Sequence, residues 1–342
     1  MDFQTIWFAL WGILWAVYFM TDGFDFGVGI LYPLLGKNDM EKRMMINTIG
    51  PVWDGNEVWL VTAGGATFAA FPVAYALMFS YLYTALFIIL IALIFRGVAF
   101  EFRQKVASTA WKKAWDAAAF LGSLIPALLF GVAFGNIFQG LPMDAAGYHG
   151  SLLSLLNPYG LLTGLLFVCL FLVHGALWLS IKTVGEPARR AASLAIPLWV
   201  ILLLVAVLFL AHTAFATSLY ANYLHHPGWI AIPALAVAAL LVMGILILKG
   251  RHAGAFFASC GLIVMVVLTG VVGLYPNLIP SSLNPLYSLT ITNSSSSLYT
   301  LKIMTVVAFI FVPMVIGYQI WVYRVFRDKV TEQDIAGSYD AY

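Results

Sequence analysis

The fold class this sequence predicts is an all-α, polytopic membrane protein with nine transmembrane helices. Three observations lead there. The 342 residues are 62% hydrophobic and only 9% charged, against about 25% charge in a soluble domain. Nine segments are apolar over roughly the 20 residues a bilayer crossing takes. The basic residues gather in every second link between those segments, in step with the count.

The segments run at about 5–33, 51–71, 76–101, 114–137, 158–181, 195–219, 229–248, 253–274 and 299–324. The first lacks a basic leader and is too long for a signal peptide, so it reads as an uncleaved span. The second is the most diluted, because Asp54 and Glu57 fall in its first turns. Lys37, Lys42 and Arg43 follow span 1, and Arg103, Lys105, Lys112 and Lys113 follow span 3. Lys182, Arg189 and Arg190 follow span 5, Lys249 and Arg251 follow span 7, and Arg324, Arg327 and Lys329 close the chain. Together these are 15 of the 17 basic residues, and the links after spans 2, 4, 6 and 8 hold none. The positive-inside rule then puts the N-terminus outside and the C-terminus in the cytoplasm. Of the two remaining cations, Lys302 can snorkel to the outer surface. Arg96 lies inside span 3, roughly 10 Å above the cytoplasmic edge.

The stretch Lys37–Asn47 reads as a short interfacial helix. The outer links 138–157 and 275–298 read as irregular surface loops. No soluble domain fits, so the chain is one integral membrane domain. Four spans return the chain to its starting side. Spans 1–4 (1–137) and 5–8 (158–274) can therefore form parallel four-helix units, with the ninth (299–327) added, although no residue-level repeat supports this. Gly64 and Gly65 in span 2 read as buried packing positions, and Gly23-x-x-x-Gly27 as close-packing glycines.

The charges inside the spans carry the functional signal. An ionisable group at mid-membrane costs about 2.5–3.5 kcal/mol and is a functional candidate by default. Asp22 and Asp25 lie in the inner half of span 1, Asp54 and Glu57 at the inner end of span 2, Arg96 and Glu101 low in span 3, and Asp116 low in span 4. The outer half of the same bundle is uncharged. Carboxylates graded from the cytoplasmic face to mid-depth suit proton delivery to a buried reaction centre better than a through-channel. Bland alternatives stand beside this: Glu101 and Asp116 as solvated interfacial charges, Asp22 and Asp25 as caps of helix ends broken at Gly23 and Gly27, and Asp54 and Glu57 as structural partners of Arg96. A different class, a proton-coupled secondary transporter using the same acids, would want polar groups in the outer half as well.

Other chemistries are poorly served. A net charge of +2 argues against nucleic acid, which wants a concentrated basic face. Cys169 and Cys260 sit singly in apolar segments, without metal or disulfide spacing. There is no P-loop, HExxH or dinucleotide fingerprint. His149, His225, His226 and His252 fall in links. His174 and His212 are intramembrane and are the candidate pair of axial haem ligands. Their depths disagree, however: roughly 24 and 12 Å from the outer ends of their spans.

Four motifs then stand in order: Asp22-Gly-Phe-Asp-Phe-Gly-Val-Gly-Ile-Leu31, Gly50-Pro-Val-Trp-Asp-Gly-Asn-Glu-Val-Trp59, Phe68-Ala-Ala-Phe-Pro72 and Phe95-Arg-Gly-Val-Ala-Phe-Glu-Phe-Arg103. With His174-Gly-Ala-Leu-Trp178, they resemble subunit II of the cytochrome bd-type quinol oxidases over essentially the whole chain. The resemblance implies two four-helix bundles plus a peripheral helix in a bacterial cytoplasmic membrane. It also implies an enzyme that oxidises quinol and reduces dioxygen to water. Haems b and d would sit in a partner subunit I, with none ligated by this chain, and a small single-span subunit and membrane lipid would be further partners. By motif, Asp25, Asp54 and Trp59 match the family's proton path, with Arg96 and Asp116 as supporting polar positions.

Overall fold

The computed structural model describes residues 2–337. Hydrophobic segments separated by capping residues and prolines become helices almost throughout. In chain order these are α1 (Phe3–Leu35), α2 (Asp39–Asn47), α3 (Trp53–Ala70), α4 (Pro72–Tyr81), α5 (Tyr83–Phe102), α6 (Thr109–Gln139) and α7 (Leu152–Leu155). Then follow α8 (Pro158–Lys182), α9 (Gly185–Ala216), α10 (Leu219–His225), α11 (Ala231–Leu248), α12 (His252–Leu274), α13 (Leu298–Val325) and α14 (Glu332–Gly337). Eight helices among the described residues are long and apolar enough to cross a membrane. The predicted span 2, which became α3, is not one of them, for the reason visible in its sequence: polar residues crowd its first turns.

The helix boundaries have local causes. Asp2 accepts from the Thr5 amide at 2.8 Å and starts α1, and Asn38 does the same for α2 through the Glu41 amide at 2.8 Å. Asn157 caps α8, whose first residue is Pro158. That combination suits a helix start, because proline has no N–H to leave unsatisfied there. Pro72 breaks the chain between α3 and α4 by pushing Phe71 out of helical geometry (φ −133°, ψ 63°). Span 3, predicted as one helix over 76–101, is divided at Leu82 between α4 and α5.

α1 lies at the centre and packs against α3, α6, α8 and α12. α5 packs on α6, α8 on α9, and α11 on α12. Glycine allows the closest crossings. A Cβ on Gly27 would stand 2.0 Å from the Phe171 carbonyl oxygen and 2.8 Å from Gly175 Cα, so α1 and α8 meet backbone to backbone. Gly131 and Gly164 play the same part between α6 and α8. Gly27→Leu is expected to lower the yield of folded protein and its thermal midpoint sharply. Overpacking costs typically about 1–3 kcal/mol, and here the obstacle is backbone, which cannot rotate away. An unchanged midpoint would refute the crossing. Gly64 and Gly65 behave otherwise. The expectation that they are packed fails within the chain, since an added Cβ at either meets nothing within 4 Å. They line an apolar groove of about 550 Å³ between α3, α4, α5 and α6.

The basic links after spans 1, 3 and 5 meet at one end, where α2 ties them together. Lys42 pairs with Asp116 at 2.7 Å, and Arg103 reaches Asp116 at 2.6 Å and Asp39 at 2.9 Å. Lys112 pairs with Asp39 at 2.7 Å, and Arg190 of α9 with Glu41 at 2.5 Å. Burial alone would raise the pKa of Asp39, but hydrogen bonds from Lys112 and Arg103 outweigh it and hold the carboxyl below its ordinary range. Lys182 donates to the carbonyls of Phe326 and Asp328, which fastens the C-terminal segment under α8.

The far end is more ordered than predicted. Two short antiparallel hairpins replace irregular loop: Met143–Asp144 with Gly147–Tyr148, and Asn277–Ile279 with Leu289–Thr290. The two links are stitched together by the Leu141 amide to the Pro280 carbonyl at 2.9 Å and the Ser282 amide to the Leu141 carbonyl at 3.0 Å. Buried Leu278, Ile279, Leu289 and Ile291 supply the apolar anchor. Strands this short carry no readable alternation.

A buried arginine and carboxylate cluster

Asp22 and Asp25 are three residues apart on a helix, so both project from one face. α1 is continuous from Phe3 to Leu35. The reading of these acids as caps of broken helix ends is therefore wrong, and both are fully buried inside the bundle. Arg96 comes in from α5 and is itself 0% exposed. One guanidinium nitrogen, Nη2, donates to Asp22 Oδ1 at 2.7 Å and to Glu57 Oε1 at 2.5 Å. The guanidinium carbon rests 4.2 Å from the centroid of the Phe26 ring, a cation–π contact that favours keeping the charge where water is scarce. Gly122 makes room for this placement, since a Cβ there would lie 2.9 Å from the Arg96 backbone nitrogen.

Asp25 takes a different partner. Asn56 Nδ2 donates to Asp25 Oδ2 at 2.7 Å, and Tyr323 Oη of α13 donates to Asn56 Oδ1 at 2.7 Å. Trp59 Nε1 donates to Gln319 Oε1 at 2.8 Å, and Gln319 Nε2 donates to the Gly55 carbonyl at 2.6 Å. Tyr18 Oη, Asp22 Oδ2, Asp25 Oδ1 and Arg96 Nε and Nη1 are buried without a hydrogen-bond partner among the described residues. Buried polar groups of this kind are where ordered water belongs.

The acids divide into an inner and an outer set. Glu57 retains 27% side-chain exposure while holding Arg96. Asp54 and Glu101 are exposed. All three line an open cleft of about 690 Å³ between α3 and α5, walled by Leu60, Val61, Leu90, Leu93 and Ile94. Asp54 belongs to no ion pair among the described residues, so its reading as a structural partner of Arg96 fails, while that reading of Glu57 holds. Asp116 lies apart. It is bound to Arg103, Lys42 and Tyr32 Oη (3.1 Å) in the α2 network, and it joins neither the Arg96 cluster nor the cleft.

The two intramembrane histidines have separate surroundings. His174 uses both ring nitrogens, Nδ1 with Ser259 Oγ at 2.6 Å and Nε2 with the Met20 carbonyl at 3.0 Å, and it stacks on Phe256. A nitrogen engaged in this way has no free lone pair to offer a metal. His212 meets Tyr159 edge to face. The donor set does not fit a haem held between these two residues.

Sequence reasoning did not single out Asn56, Gln319, Tyr323 or Tyr18. Gln319 and Tyr323 carried a usable signal: an amide and a phenol four residues apart on one face of an otherwise apolar span.

The motifs around this cluster agree with what the chain resembles. The family model described as cytochrome bd terminal oxidase subunit II matches residues 3–326. The chain belongs to the cytochrome bd terminal oxidase subunit II family. Among its relatives, cytochrome bd ubiquinol oxidase subunit 2 of Bacillus subtilis (strain 168) is 39% identical over 332 residues, covering 96% of this chain and 97% of that one. Cytochrome bd-I ubiquinol oxidase subunit 2 of Escherichia coli (strain K12) is 38% identical over 362 residues, covering 96% of each. The bd oxidase structure from Geobacillus thermodenitrificans shares the fold, with a TM-score of 0.79 at 19% identity over 95% of this chain and 99% of that one. The subunit II chain is thus a multi-pass bacterial membrane protein.

Proposed function

We propose that this subunit II chain stabilises a haem-bearing subunit I and carries protons from the cytoplasm toward the site of dioxygen reduction in a quinol oxidase. In this reading the fold is two four-helix bundles with α13 as the peripheral ninth crossing and α3 as the second. The N-terminus is outside, the basic end cytoplasmic, and a small single-span subunit completes the complex. Haems b and d, held by subunit I, would pass electrons from quinol to dioxygen.

The observation that carries the reading is the cleft. Three carboxylates, Asp54, Glu57 and Glu101, open sideways between apolar walls, and Arg96 bridges one of them, Glu57, to the fully buried Asp22. Charges facing lipid at this depth are costly, so the cleft is where we place subunit I. Asp54 and Glu101 collect protons from the cytoplasmic side. Glu57, Asp22 and Asp25, with water on their unpartnered atoms, hold and pass them. Trp59 walls the path, Arg96 holds the inner acids in register, and Asp116 secures the cytoplasmic rim through α2. Proton uptake on one side, with release from quinol on the other, separates charge without a pump.

The test is an affinity pull-down of this chain from its native membranes in mild detergent, with a dithionite-reduced minus oxidised spectrum. A large partner, b- and d-type haem bands and quinol-dependent oxygen uptake are expected. A lone, colourless chain would overturn the proposal and return attention to a proton-coupled transporter.

A further inference from the structure

We infer that α13 is a positioning element for the proton path: Gln319 and Tyr323 grip the turn of α3 that carries Asn56 and Glu57. The inference rests on the proton-path reading above and adds two residues to it.

α13 is otherwise loosely held. Most of its side chains are exposed, and its polar attachments are few. Trp7 Nε1 donates to Thr305 Oγ1 at 3.0 Å and to the Leu301 carbonyl at 3.2 Å near one end. Gln319 and Tyr323 make the attachment near the other. They are four residues apart, hence on one face, and that face meets α3. Gln319 spans a single helical turn, accepting from Trp59 Nε1 and donating to the Gly55 carbonyl. Tyr323 donates to Asn56 inside the same turn. Between these grips lie Asn56 and Glu57, the residues that reach Asp25 and Arg96.

The chemistry of Asn56 makes the tyrosine more than an anchor. An amide can present either its oxygen or its nitrogen to a neighbour. With Tyr323 Oη donating to Oδ1, the amide is set to turn Nδ2 toward Asp25. Tyr323→Phe keeps the ring against Trp178 and Phe24 but releases the amide to turn either way. The titratable groups facing Tyr323 are Asp25 and Asp22 of α1 and Cys260 of α12. Those facing Asp25 are Asp22 and Arg96, with Asn56 as its neutral partner.

The experiment compares the purified, complete oxidase in wild-type, Tyr323→Phe, Gln319→Met and Asp25→Asn forms. It reads haem content, quinol KM, and the pH profile of oxygen uptake. For Tyr323→Phe and Gln319→Met we expect wild-type haem content and KM. Turnover should fall roughly three- to tenfold, the factor that one lost neutral hydrogen bond corresponds to, and the pH profile should be displaced. Tyr323→Phe added to Asp25→Asn should bring no further loss. Wild-type turnover and pH profile in both α13 variants, with Asp25→Asn slowed, would overturn this inference and leave the proton path standing. Full turnover in Asp25→Asn would instead remove Asp25 from the path, and the role of Tyr323 with it. Loss of haem in Tyr323→Phe would make α13 an anchor only, which also overturns the inference.

Discussion

Asp54→Asn is expected to cut quinol-dependent oxygen uptake by about a hundredfold while leaving the haem spectrum and the quinol KM unchanged. Proton transfer by a positioned side chain contributes typically about 10²–10⁴-fold. The lower end applies here because Glu57 and Glu101 share the cleft with Asp54 and can take over part of its work. Two features keep the variant from being a folding mutant. Asp54 is exposed in the isolated chain, and among the described residues it forms no ion pair that its loss would orphan. Its electrostatic neighbours are Glu57 and Glu101, so asparagine relieves repulsion rather than removing an attraction. Oxygen consumption by the intact complex at several pH values checks the expectation. Wild-type turnover would take Asp54 out of the path and leave the cluster a structural one.

The second large effect is of the opposite kind. Arg96→Leu is expected to prevent assembly of the complex, or to lower its thermal midpoint severely. Removing one partner of a buried pair costs about 3–5 kcal/mol, because the charge left behind is unpaired. Here one nitrogen serves two carboxylates, and Asp22 is fully buried. Leucine also forfeits the contact with the Phe26 ring. A compensated variant separates the pair from the packing. Arg96→Met combined with Asp22→Asn and Glu57→Gln removes the three bridged charges, leaving only the Asn56-bound Asp25, and keeps the volumes close, and it should recover most of the midpoint. Full assembly of Arg96→Leu alone would show that the ion pairs contribute little. Failure of the compensated variant would place the requirement in the shape of the guanidinium and not in its charge.

These two residues also show where reading the sequence works and where it stops. Composition, apolar length and the alternation of basic links were enough for the class, for most helix positions and for the end at which the charges gather. They are one-dimensional consequences of the bilayer, which prices each residue by its own polarity and its distance along the helix. The acids were legible for the same reason, since a charge in an apolar span is conspicuous wherever it ends up.

Which acid meets which base was not legible. Asp54 and Glu57 are equivalent by spacing, yet Glu57 holds Arg96 and Asp54 faces the cleft. The difference is how α3 sits against α1 and α5, which turns Asn56 onto Asp25 and Glu57 onto Arg96 and leaves Asp54 outside. Gly64 and Gly65 looked like packing glycines and proved open within the chain, lining the apolar groove between α3, α4, α5 and α6. The grip of Gln319 and Tyr323 on α3 joins residues about 260 positions apart. No local pattern reports a contact of that kind: it exists only once α13 has docked, and docking is a property of surfaces rather than of segments.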